Sequence, residues 1–141
     1  MSNSFEDRLS AWKKFRLQLE TAADPILLTV SYWNSVPTDR RNIDPYDQTT
    51  WPDPWEMIEE NSYCEFTKLL AVAYTVMFTD RFKNIEPVFS IGVDNVTGML
   101  YYTVRIDDVI VSLDEDNSMC ILEHLPKTLR VQKTHLLKNS Y

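Results

Sequence analysis

Apolar residues return at three- and four-residue steps through the start of the chain, at Phe5, Leu9, Trp12, Phe15 and Leu19. The spacing predicts an amphipathic helix over residues 4–22, with Ser4 as its cap and Asp7 near the positive end of the helix dipole. Asp24-Pro25 closes it, and residues 26–33, rich in β-branched and aromatic side chains, read as a strand. Residues 34–52 hold Pro37, Pro45 and Pro52 among Asp, Asn, Thr and Arg, so a long loop is expected there as the candidate recognition segment.

Asp53-Pro54-Trp55-Glu56 spells a helix start: an N-cap, a proline at the first position, and a glutamate at the third to close a capping box. That helix runs to about residue 60. A second box is read in Ser62-Tyr63-Cys64-Glu65, which places Cys64 in the first turn of the next helix. Phe66, Leu69, Leu70, Ala73, Tyr74 and Met77 share one side of this helix, and Ala71, Val72, Val76 and Phe78 fill much of the rest. An apolar belt this wide predicts a central, buried helix ending near Thr79-Asp80. Residues 87–93, 99–106 and 109–113 then read as strands, the last two joined by a hairpin turn at Asp107-Asp108. Residues 119–137 are ambiguous, with Pro126 in the middle and a strand suggested around 129–131. The expected architecture is α+β: an N-terminal amphipathic helix and a central buried helix starting near Cys64, packed on a mostly antiparallel sheet.

Composition narrows the picture. The 141 residues are expected to form a single domain, and 44% hydrophobic residues supply a core without help from a metal or a disulfide. Two glycines, Gly92 and Gly98, leave no Gly-rich phosphate loop. The apolar run over residues 69–78 is far short of the roughly 20 residues that span a bilayer. The charged first twenty residues do not read as a signal peptide, so an intracellular or virion location is expected. Two cysteines and two scattered histidines make no zinc signature, and neither a metal nor a cofactor is expected. A net charge of −7 argues against nucleic acid as the main partner. The charge is uneven. With +4 after Glu123, from Lys127, Arg130, Lys133 and Lys138, residues 1–123 stand at −11. A basic C-terminal segment (124–141) on an acidic body suits contact with an acidic protein or with another copy of the chain.

A thiol in a first helical turn feels the exposed amides, which favour the thiolate, although Glu65 opposes this and a small core residue is the simpler reading of Cys64. Over residues 51–114 the order of elements resembles the transglutaminase-like branch of the papain-type cysteine fold: a Trp/Pro-rich lead-in, a capped helix opening with Cys, then strands carrying a His and an Asp. The resemblance implies Cys64 at the nucleophile position and Asp114 at the acid position, in the stretch from Tyr101 through Asp108 to Asp114. Tyr102, or its neighbour Tyr101, stands where the family has His. A tyrosine, with a reference pKa of about 10, is a poor proton acceptor at neutral pH. His124 and His135 are the remaining bases, and both read as surface or partly buried side chains.

Three functions follow as expectations. The first is a non-catalytic transglutaminase-like domain that works by protein contact, as a bacteriophage virion or assembly component whose partners are particle subunits or copies of itself. The second is a cysteine-dependent acyl-transfer or amide-cleaving enzyme with Cys64 as nucleophile, Asp114 as orienter and His135 or His124 as base. The third is a host-directed inhibitor or adaptor using the 34–52 loop. Trp33, Arg40, Arg41, Trp51, Lys127, Arg130 and Lys133 are the interaction candidates. Trp33 and Trp51 are balanced between a groove and the core, whereas Trp12 and Trp55 are assigned to the core. Asp114, Glu115 and Asp116 read as a solvated turn rather than a cation site.

Overall fold

Ser4 accepts the amide of Asp7 at 3.2 Å and starts α1 (Phe5–Leu19), whose Trp12, Phe15 and Leu19 are buried. The computed structural model describes residues 4–39, 43–113 and 118–139. The strand expected over 26–33 is instead a helix, α2 (Pro25–Asn34). Asp24 caps it by accepting the amide of Leu27 at 3.3 Å, and Pro25 fills the first position, where a missing N–H costs nothing. Ile26, Thr29, Val30 and Trp33 point inward while Leu27 and Leu28 are exposed, which is a helical stripe. The β-branched residues cost only a few tenths of a kcal/mol each in helix propensity, and burying the stripe outweighs that.

The capping box on α3 (Pro54–Glu60) forms as expected: Asp53 accepts the amide of Glu56 at 2.8 Å, and Glu56 accepts that of Asp53 at 3.3 Å. The second box does not form. Helix α4 (Glu65–Met77) begins two residues later, with Cys64 as an N-cap whose side chain makes no capping bond. The Ser62 hydroxyl is turned away, donating to the Asp39 carboxylate at 3.2 Å.

Helix α4 is the buried centre, and Leu69, Leu70, Ala71, Val72, Ala73 and Val76 are fully enclosed. Its polar atoms face other elements, since each would otherwise be buried without a partner. Tyr74 donates to the Pro52 carbonyl at 2.8 Å. Thr75 donates to the Ala71 carbonyl at 2.6 Å and accepts the indole N–H groups of Trp12 and Trp33 at 2.9 and 3.0 Å. One hydroxyl thereby ties α1, α2 and α4 together with all its bonding capacity used.

Helix α4 packs on β2 and β3, and α2 packs on β4. The five strands are β1 (Val88–Asp94), β2 (Leu100–Ile106), β3 (Val109–Leu113), β4 (Met119–Leu122) and β5 (Leu129–Leu136). They form one antiparallel sheet in the order β4-β3-β2-β1-β5. Phe89, Ile91, Val104, Ile106, Val111 and Leu113 share the helix-facing side, as the alternation within each strand requires. The ambiguous segment resolves into β4 and β5 on opposite edges, so residues 123–128 carry the chain across the width of the sheet. Register shifts between Ile91 and Gly92 where β1 meets β5. A Cβ on Gly92 would lie 3.0 Å from the Arg130 carbonyl, so glycine permits this close approach.

Each outer edge carries a contact from another part of the chain. Asn34, the last residue of α2, donates to the Met119 carbonyl and accepts the Met119 amide, each at 3.0 Å. On the other side, Gln48 donates to the Leu136 carbonyl at 3.2 Å and Tyr46 to the Gln132 side chain at 3.1 Å.

Candidate functional site

Cys64 is half-buried against the core, in extended conformation, with Sγ 3.1 Å from the Thr67 hydroxyl. Neither histidine makes a hydrogen bond to it among the described residues. His124 is exposed in the connection between β4 and β5. His135, expected near the surface of a basic tail, lies on β5 opposite Phe89 and is only 7% exposed. Its ring stands edge-on to Trp51 at 5.0 Å, and its Nε2 is buried without a partner. Tyr102 lies on the helix-facing side of β2 and packs edge-on to Phe66 at 5.7 Å. Burial, helped by Tyr46 and Asp44 nearby, raises its phenol above the ordinary tyrosine value. It stays protonated at neutral pH and accepts no proton from a thiol.

After Cys64 come α4 and then the antiparallel strands β1, β2 and β3. Asp114, Glu115 and Asp116, together with Arg40 and Arg41, lie outside the described residues.

The proline-rich loop is fastened to the body at both ends. Burial lowers the pKa of Lys68, which is 5% exposed, and Glu65 opposes that shift. Lys68 donates to the Val36 carbonyl and, at 2.8 Å, to the Thr38 hydroxyl. The Asp39 amide bonds the Tyr63 carbonyl at 2.8 Å. Further along, Trp51 donates to the Asp44 carbonyl at 3.0 Å and packs against Phe66, Phe89 and His135 at 5.0–5.1 Å. Asp47 sits near His135 and Lys133, its carboxyl held below the usual range chiefly by the Thr49 hydroxyl and amide. Residues 43–52 therefore cover the sheet, and Trp33 and Trp51 are both core residues. Lys127, Arg130 and Lys133 are exposed.

Trp55 departs from expectation. The sequence assigns it to the core, yet it is 43% exposed, because it follows Pro54 on the outer side of α3 while Met57 and Ile58 turn inward. It stands edge-on to Trp12 at 6.2 Å.

Two concavities flank α1. One, of about 390 Å³, is walled by Ala11, Trp12, Tyr32, Trp33, Ile58 and Tyr63. Arg8 and Asn61 stand at it, but Arg8 bonds the carbonyls of Ile58 and Glu59 at the end of α3, at 3.0 and 2.9 Å. Tyr63 donates to the Met57 carbonyl at 3.3 Å, and both indole N–H groups are used by Thr75. No carboxylate, thiol or imidazole lines this cleft among the described residues. The other concavity, of about 260 Å³, contains Arg16 and Trp55.

Among the described residues no group of three or more His, Cys, Asp or Glu side chains could hold a metal ion. No described helix is long and apolar enough to cross a membrane. No family model, curated protein or solved structure matches the chain.

Proposed function

We propose that this domain is a transglutaminase-like framework without a base, and that it acts by contact with another protein rather than by chemistry of its own. The observation that carries the reading is the cleft between α1, α2 and α3. Its volume of about 390 Å³ and its aromatic walls suit apolar side chains, and its Arg8, Trp12, Trp33 and Tyr63 side chains already bond partners within the chain. A surface of that kind selects by shape and apolar area and has no group with which to attack a substrate. The setting is an assembly of protein subunits, such as a virus particle, which the acidic body and basic C-terminal segment favour through complementary charge.

The test fills the cleft. Ala11 is exposed at its wall, so Ala11→Arg blocks it without entering the core. In a quantitative pull-down from the cells that make the protein, a partner retained by wild type and by Cys64→Ala but lost by Ala11→Arg supports the reading. Identical retention by all three overturns the cleft as the contact surface.

A further inference from the structure

Arg16 lies in the last turn of α1, with its guanidinium carbon 4.4 Å from the centre of the Trp12 ring and 5.7 Å from that of Phe78. Stacking holds it there. Among the described residues it has no hydrogen bond and no carboxylate partner, and its Nε is shut away from water. The contrast with other arginines of the helical layer is direct. Arg8 bonds two carbonyls at the end of α3, and Arg81 bonds those of Leu19 and Ala22 after α1, at 2.9 and 2.7 Å. Those two complete helix ends; Arg16 has no such task. Burial lowers its pKa below the ordinary arginine value, and no anion bonds it among the described residues.

The guanidinium opens into the concavity of about 260 Å³, where Trp55 and Phe78 give apolar walls and Lys83, Asn139 and Asp80 stand at the polar side. We infer that this pocket receives a carboxylate from an acidic segment of the partner protein, with a neighbouring apolar residue of that segment laid on Trp55. The inference rests on the reading that the domain works by protein contact, and it names the partner's chemistry.

Three features choose this occupant. The pocket is smaller than the roughly 300–1,000 Å³ of small-molecule sites, and so suits a single side chain. A planar guanidinium pairs with a carboxylate through two parallel bonds. Asp80 lines the same pocket, and Glu20, which follows α1, has its carboxylate held by the amides of Asp80 and Arg81, at 2.8 and 3.2 Å. Those two charges repel a phosphate dianion more than a single carboxylate. Arg and Trp are also the residue types that dominate binding hot spots.

The probe is the blocked dipeptide acetyl-Glu-Leu-amide, titrated at millimolar concentrations while the side-chain N–H resonances of Arg16 and Trp55 are followed by NMR. Saturable shifts of both are expected. The acetyl-Gln-Leu-amide control and Arg16→Gln with the Glu peptide should each weaken binding by about tenfold or more. Arg16→Lys should fall between, and unchanged amide spectra of the variants show that the fold is kept. Equal shifts with the Gln peptide, no saturation at Arg16, or tighter saturation by inorganic phosphate overturns the inference. Loss of the partner by Ala11→Arg together with unshifted Arg16 sinks this inference alone and leaves the contact reading standing.

Discussion

Trp12 on α1 and Trp33 on α2 donate to one acceptor on α4, the Thr75 hydroxyl. Two tryptophans of the helical layer thus bond a single oxygen atom, and their rings wall the cleft to which the protein-contact role is assigned.

Thr75→Val keeps the shape of the side chain and removes the acceptor. Two buried indole N–H groups lose their partner, at roughly 1–3 kcal/mol each, so unfolding in urea should show a loss of about 2–6 kcal/mol. Thr75→Ser keeps the hydroxyl and should lose about 1 kcal/mol, the worth of one buried methyl group. Equal losses in the two variants would show that the hydroxyl does not hold the rings.

Asn34 closes the β4 edge through both its donor and its acceptor. Asn34→Ala should cost about 1–2 kcal/mol and speed hydrogen exchange at the Met119 amide. Asn34→Asp keeps the acceptor for that amide, so exchange there should stay slow while stability still falls. Fast exchange in the Asp variant would contradict the pairing.

Asp94 turns the chain between β1 and β2. Its carboxylate accepts the Val96 amide at 2.8 Å, the Thr128 hydroxyl at 3.0 Å and the Thr97 amide at 3.3 Å. The Val96 bond chiefly holds its pKa below the usual aspartate value. A depressed folded pKa stabilises the fold above the unfolded value near 3.9, and that stability is lost as pH falls through the folded pKa. Asp94→Asn can accept the same bonds but does not titrate. The gap in Tm between wild type and this variant should be widest near pH 6 and narrow from about pH 4 downward. A constant gap from pH 6 to pH 2 would rule out an ionic contribution.

Cys64 and Cys120 are both half-buried and unpaired in any disulfide. With Thr67 as its neighbour and no histidine bonded to it, Cys64 should react with iodoacetamide at pH 7 within about tenfold of the rate of Cys120. Selective, rapid labelling of Cys64 below pH 8 would restore the enzyme reading.

The legible parts of this fold were those with a local cause. The caps at Ser4 and Asp53, the apolar belt of α4 and the Asp107-Asp108 turn act within four residues, and all stand where the sequence puts them. Asp24-Pro25 carries the same start signal as Asp53-Pro54 but reads as a stop, because exposed Leu27 and Leu28 blur the inward stripe into a continuous apolar run. Ser62 lost its capping role to a long-range partner, Asp39, which no spacing announces. The site was less legible. Lys68 is a lone cation in an apolar helix, a visible signal, but its acceptors lie thirty residues away. Arg16 stands out only by lacking a partner, a property of the folded molecule and not of the sequence.

The two outer edges of the sheet carry different contacts. Asn34 occupies the backbone groups of Met119 on the β4 side, while Gln48 reaches the Leu136 carbonyl and Tyr46 the Gln132 side chain on the β5 side. An incoming strand would have to displace Asn34 at Met119 or Gln48 at Leu136, so these two side chains oppose strand addition at those positions.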